Sequence, residues 1–369
     1  MKFRPLIFIA IISLAPSYNS NPPSIPVVNV DNVRSSICLD LSDFLKDIEV
    51  IKLETTDYNL FSTEHDLGFT LAFITETSII IQNDKAIYQF DRQGKYLRKL
   101  SGKGRGPNEF YDILFCFADE KKDILYYVDL LSQGRICRID LSTGQFLDPL
   151  ELDMNRLELW LGKDNSIYGF PTNKNHAFEA ADSDSSVVAF RYDLLSGSMK
   201  KYYGTRKYTI QPLGKSMVEY GNHLSLFNMY YSDTLYRLQN NALQARFLVK
   251  MKNKMVRYSE GGEDISFLFE YEKGIVLSRN SITYRIMPRG GHVLIYCPER
   301  YLLLDPSGGL KNIEQVYINP LDIAVKIEVS LKDRGFEGTN PFPKSSGSYG
   351  YILVEQEEDN PHIILGKIK

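Results

Sequence analysis

Apolar residues in this chain fall in short runs, some alternating with polar residues and some continuous, broken by clusters of Gly, Asp, Asn and Pro. Runs of that length and period predict β-strands, half-buried where they alternate and buried on both faces where they do not. Leu71 to Gln82 and Ala86 to Phe90 lead into an Asp-rich turn, and Lys95 to Leu100 leads out of it. Ile113 to Phe117, Ile124 to Asp129, Arg135 to Ile139 and Gln145 to Leu150 repeat the arrangement. The same texture continues through Tyr230 to Leu238, Arg246 to Lys250, Gly274 to Ser278, Val293 to Tyr296 and Tyr301 to Leu304. No stretch has the helical period over more than about three turns; the best candidate, Leu39 to Lys46, is short. The expected fold class is all-β.

Four turns share one chemistry: Phe90-Asp91-Arg92-Gln93-Gly94, Ile139-Asp140 to Gly144, Tyr192-Asp193 to Gly197, and Leu304-Asp305 to Gly308. An Asp carboxylate can accept the backbone amide two residues on, and Gly supplies the positive φ that closes the hairpin. The aspartates lie 49, 53 and 112 residues apart, the last interval being two units. A period near 50 with about four strands per unit is that of a propeller blade. Six blades between about Val27 and Lys369 would each take about 57 residues. Ring closure should pair N-terminal strand material, Val27–Val30 or Glu49–Leu53, with the last strand near Ile363 to Ile368, which removes exposed sheet edges.

Composition sharpens this. The chain holds 24 Tyr and 20 Phe beside one Trp, and aromatic side chains suit pleated, half-buried sheets. Stacked blades give them a place, so no Tyr/Phe cluster is needed as a ligand platform. Lys and Arg (43) nearly balance Asp and Glu (46), which leaves no basic footprint for a nucleic acid. At the N-terminus, Lys2 and Arg4 precede an apolar run from Leu6 to Ala15 and then small and turn-forming residues. That is the layout of a secretory signal peptide over residues 1–20, followed by a single propeller domain over 21–369. Cleavage after Ser17 fits as well as cleavage after Ser20. Ten helical residues rise about 15 Å against a hydrocarbon core of about 30 Å, too little to span it. The expected product is an exported monomer, periplasmic or extracellular. No lipid anchor is expected, since the first cysteine is Cys38.

The remaining cysteines are Cys116, Cys137 and Cys297, with no CxxC pair. Cys116 and Cys137 belong to the first and third strands of one meander, about 9.6 Å apart, beyond the reach of a disulfide. Free, buried thiols are expected.

Three stretches resemble hallmarks of a known family. They are Ile51-Lys52-Leu53-Glu54-Thr55-Thr56, the run Ile87 to Leu100 continuing into Gly102-Lys103-Gly104-Arg105-Gly106-Pro107-Asn108-Glu109-Phe110, and Asp359 to Lys369. The middle one resembles a blade followed by a GxGPxE[FY] loop. Together they are similar to the six-bladed β-propellers of exported proteins and lipoproteins of Bacteroidota, of NHL/TolB-like type. The resemblance implies a fold and a compartment and carries over no catalytic residues.

Candidate chemistry is sparse. Gly102 to Pro107 looks like a phosphate cradle, yet it lacks the GxxxxGK[ST] spacing and no helix pattern follows. A tight inter-blade connection explains it better. Lys103, Arg105, Asn108 and Glu109 nonetheless crowd one loop and are the ligand-binding candidates. Gly214-Lys215-Ser216 fails the same phosphate-loop spacing. Asp182 to Ser186 lacks the Gly and distal Glu of a calcium loop. Glu64-His65-Asp66 cannot converge on one face of a strand. Lys344 to Gly350 reads as a flexible loop, and Glu357-Glu358-Asp359 as a solvated edge. The five histidines form neither HxH nor HExxH, and no GxSxG elbow occurs. The leading expectation is a non-catalytic propeller that binds a ligand or protein partner at its axial opening, without a cofactor. The alternative is a lactonase- or esterase-type hydrolase with one divalent cation such as calcium in the channel. A purely structural interaction module is the third.

Overall fold

Three consecutive isoleucines in the strand Ser78–Gln82, Ile79, Ile80 and Ile81, are all fully buried. Alternate residues of a strand face opposite ways, so Ile79 and Ile81 enter one apolar cluster and Ile80 another. A sheet built of such strands has two apolar faces and needs a neighbour on each. The computed structural model describes residues 25–56, 71–132, 135–151, 157–162, 166–171, 186–204, 217–221, 223–227, 233–240, 242–253, 262–286, 292–318, 327–330, 344–354 and 360–369. In these residues the strands form six small sheets arranged in a ring, a six-bladed β-propeller.

Blade 1 runs outward from Leu71–Ile74 through Ser78–Gln82 and Ala86–Asp91 to Tyr96–Gly102. Blade 2 comprises Ile113–Asp119, Ile124–Asp129, Arg135–Asp140 and Phe146–Glu151. Blade 3 comprises Leu157–Gly162, Ser166–Pro171, Ser186–Asp193 and Met199–Gly204. Blade 4 is built from Met217–Tyr220, His223–Leu226, Thr234–Gln239 and Ala242–Lys250. In blade 5 the strands are Gly262–Tyr271, Gly274–Ile286, His292–Leu304 and Leu310–Ile318, with Ile327–Ser330 paired to the last. Blade 6 contributes Lys344–Ser346, Tyr349–Val354 and His362–Ile368. Innermost strands of blades 1 and 2, 2 and 3, 4 and 5, 5 and 6, and 6 and 1 adjoin, and Tyr202 of blade 3 packs with Met217 and Leu224 of blade 4 to complete the ring. Lys344–Ser346 is therefore an inner strand, and only Gly347 and Ser348 of the expected flexible loop form a turn. Its serines and glycines read as loop residues, but backbone pairing with Tyr349 to Tyr351 makes Lys344–Ser346 a strand.

Each apolar cluster lies between two consecutive blades. Phe90 and Tyr351 fill the space between blades 6 and 1, Phe110 and Tyr127 that between 1 and 2, and Phe190 that between 2 and 3. Phe269 and Tyr271 pack between 5 and 6, where Phe44 meets both edge-on at 5.0 and 5.1 Å. These are among the largest fully buried side chains, which places the aromatic surplus where stacking needs it.

Ring closure uses the N-terminal strand Leu45–Lys52, which lies antiparallel on His362–Ile368 with Ile51 opposite Ile363 and Val50 opposite Ile364. Val27–Val30, the other closing candidate, goes elsewhere. Val27–Asn29 pairs in parallel with the outer strand of blade 4, and Ser35–Asp40 pairs in parallel with that of blade 5. The reason is burial: Val28 and Val30 complete the cluster between blades 4 and 5. The N-terminal segment is thus a strap over three consecutive blades. The proposed helix shrinks to one turn, Leu41–Phe44, a corner in which the Asp40 amide donates to Asp43 Oδ2 at 2.9 Å.

All four Asp turns form as expected. Oδ1 of Asp91, Asp140, Asp193 and Asp305 accepts the amide two residues on at 2.9, 2.8, 3.0 and 2.9 Å. Gly94, Gly144, Gly197 and Gly308 have φ between 68° and 88°. At Gly94 a side chain would also collide with the carbonyl of Lys52, because this turn packs against the closing strand.

Cys116 and Cys137 occupy the first and third strands of blade 2, each opposite Tyr127 on the strand between them. They are free but only partly buried, and Cys38 is free and exposed on the blade 5 edge strand. Buried thiols were expected at all three; Cys38 escapes burial because strand alternation turns it away from Leu39, which enters the core. The side chain of Cys297 lies outside the described residues.

Candidate functional site

The loop Lys103 to Asp112 runs from the outermost strand of blade 1 to the innermost strand of blade 2. Its base is pinned by backbone bonds from Phe110 N to Gly102 O (3.0 Å), Gly104 N to Phe110 O (2.8 Å) and Lys103 N to Lys85 O (2.8 Å). Phe110 is buried in the cluster between the two blades. At the tip, the Glu109 amide donates to Gly106 O at 3.2 Å, with Pro107 second in the turn and Asn108 third at φ 67°. A turn of this kind wants Pro at its second position and a residue tolerant of positive φ at its third.

The Glu109 side chain turns back into the loop, where Oε2 accepts the Gly106 amide at 2.7 Å. A Cβ on Gly104 would collide with that carboxylate. The glycines, Pro107, Asn108, Glu109 and Phe110 are thereby explained as one self-braced loop. All four sequence candidates stand together in it, with different work. Glu109 braces, Asn108 supplies the turn conformation, and Lys103 and Arg105 are exposed.

Beside them lie residues that the sequence did not single out. The Arg105 guanidinium sits over the Tyr111 ring, 5.8 Å from its centroid. Tyr111 is 40% exposed and Leu131 63%. Both are fixed by buried Asp129, whose Oδ1 accepts the amides of Tyr111 (2.8 Å) and Asp112 (2.9 Å) while Oδ2 accepts that of Leu131 (3.2 Å). Tyr111 directly follows the loop motif, which was the available signal; Asp129 had none, because two of its partners, Tyr111 and Asp112, lie in a loop 18 and 17 residues before it.

A second polar cluster, also missed, is buried between blades 4 and 5 around Glu270, which His223, Ser225 and Arg246 contact. Among the described residues no group of three or more His, Cys, Asp or Glu is gathered closely enough to hold a metal ion. Met1 to Ser20, Glu64 to Asp66, Asp182 to Ser185, Gly214 to Ser216 and Glu357 to Asp359 lie outside the described residues.

A family model described as a domain of unknown function, DUF4934, matches residues 25–296, from the strap into blade 5. The chain belongs to the DUF4934 family. No protein of curated function matches it. Among solved structures, this DUF4934 chain resembles a Bacteroides fragilis protein described as a presumed exported protein. The two are 13% identical with a TM-score of 0.57, over 93% of this chain and 99% of that one. A member of the DUF4221 family from Bacteroides vulgatus is 11% identical, with a TM-score of 0.48 over 88% of this chain and 97% of that one. At such identities the first likeness speaks for the shared fold alone.

Proposed function

We propose that the protein is an exported, monomeric, non-catalytic β-propeller that binds a ligand or protein partner at its axial opening through the loop Lys103 to Asp112. One observation carries this reading: Arg105 lies over exposed Tyr111, next to exposed Leu131, on a loop braced by its own Glu109. Arg and Tyr are enriched among residues that dominate interface energies, and a braced loop loses little entropy on binding. Lys103 and Arg105 favour an acidic group on the partner.

Export is supported by the signal-like Met1 to Ser20 and by the description of the B. fragilis relative. No described helix is long and apolar enough to cross a membrane. The net charge of −3 speaks against nucleic acid as the partner. NHL/TolB-like kinship rests on the blade and loop pattern.

A photo-crosslinking residue placed at Tyr111 in the native cell envelope should give a discrete adduct. The same residue at Leu195, 82% exposed in a blade 3 turn, should give none, and Arg105→Ala should abolish the Tyr111 adduct. Equal labelling at both sites would overturn the assignment. So would hydrolysis of lactones or esters by the purified protein that is lost on channel substitutions.

A further inference from the structure

Glu270, on the innermost strand of blade 5, is 2% exposed. Its Oε1 meets Arg246 Nη1 at 2.7 Å and His223 Nε2 at 3.2 Å, and its Oε2 accepts the Ser225 hydroxyl at 2.6 Å. Burial pushes its pKa up, but the bond to His223, the charge of Arg246 and the bond from Ser225 prevail and hold it below the usual carboxylate value. The carboxylate is fully engaged.

Arg237 stands in the same row of blade 4, directly across from Ser225 on one side and Gln244 on the other. Its Nε is buried without a hydrogen-bond partner. No hydrogen bond or ion pair joins its guanidinium to another described residue. Burial, and then the neighbouring Arg246 charge, both disfavour its charged form, with Glu270 opposing them. Among the described residues, two guanidinium groups therefore face one carboxylate, and Arg237, partly buried, has no carboxylate of its own. Burying a charge without a partner is unfavourable, and uncompensated groups of this kind concentrate at functional sites. A planar guanidinium accepts a carboxylate or phosphate through two parallel hydrogen bonds. Tyr220 stands edge-on to His223 at 6.0 Å, at the margin of the same cluster.

We propose that the polar cluster between blades 4 and 5 binds an oxyanion, the carboxylate or phosphate of a small ligand, on Arg237 with Arg246 beside it. The proposal is independent of the Lys103 to Asp112 loop, which joins blades 1 and 2. It is tested by melting the full protein in chloride buffer, then with inorganic phosphate or acetate added at constant ionic strength. A saturating oxyanion should raise the midpoint by about 2 °C or more, and the arm that responds identifies phosphate or carboxylate as the preferred group. Arg237→Gln should melt at or above the parent in chloride, since it removes an unmatched charge, and should not respond to either anion. Arg237→Lys, which keeps the charge without the fork, should respond more weakly. The proposal is overturned if the parent responds to neither anion, if Arg237→Gln responds equally, or if Arg237→Gln melts below the parent or does not fold in chloride.

Discussion

The recurrent aspartate turns show one residue's chemistry acting on a hairpin. At Asp305 the hydrogen bond from the Ser307 hydroxyl, helped by the amides of Gly309 and Ser307, outweighs partial burial and lowers the carboxyl pKa below its usual 3.8. Asp140 behaves likewise, chiefly through Ser142. A carboxyl with a lowered pKa in the folded state stabilises the protein above its unfolded-state pKa, and that contribution is lost as pH falls through the folded value. Asp305→Asn should cost about 1 kcal/mol at neutral pH and flatten the acid limb of stability below about pH 4. Denaturant titrations across that range check it, and an acid limb parallel to the parent's would contradict the assignment. At Glu109, residue type alone misleads: its charge is visible in the sequence, but the turn of its carboxylate into the loop depends on the backbone at Asn108. Glu109→Ala should speed amide exchange at Gly106 by about tenfold with little change in melting temperature; unchanged exchange would refute the brace.

At the scale of elements, the blades were legible because the Asp–Gly turn joins the third and fourth strands at the same place each time. The doubled interval also has a structural cause. Blade 4 makes that turn with Asn240, at φ 51°, in place of the Asp–Gly pair. Blade 6 has no such turn, because its outer strand comes from the other end of the chain. The strap was legible only in part. Val27–Val30 and Glu49–Leu53 look alike as short apolar strips, and their places are decided by partners distant in sequence. Asp31 and Glu263 both hold Arg279, at 3.0 Å and, through its Nε, at 2.9 Å, and Arg279 is 8% exposed. Arg279→Met would strand two largely buried carboxylates and should cost about 3 kcal/mol in urea unfolding. A loss below about 1 kcal/mol would mean that the strap is not locked there.

For the whole molecule, the ring, its apolar interfaces and the strap are one construction, since the strand that closes blade 6 is the end of the segment that edges blades 4 and 5. The position of the proposed binding loop was legible from its motif, whereas the polar cluster between blades 4 and 5 was not, because His223, Ser225, Arg237, Arg246 and Glu270 come from four strands and share no spacing. The closing register offers the most direct measurement. Antiparallel partners lie about 4.5–5.5 Å apart at Cα, within disulfide range. Val50→Cys with Ile364→Cys should therefore crosslink within one chain under mild oxidation and raise the melting temperature, while Val28→Cys with Ile364→Cys should do neither. Failure of the first pair, or crosslinking of the second, would contradict the ring as described.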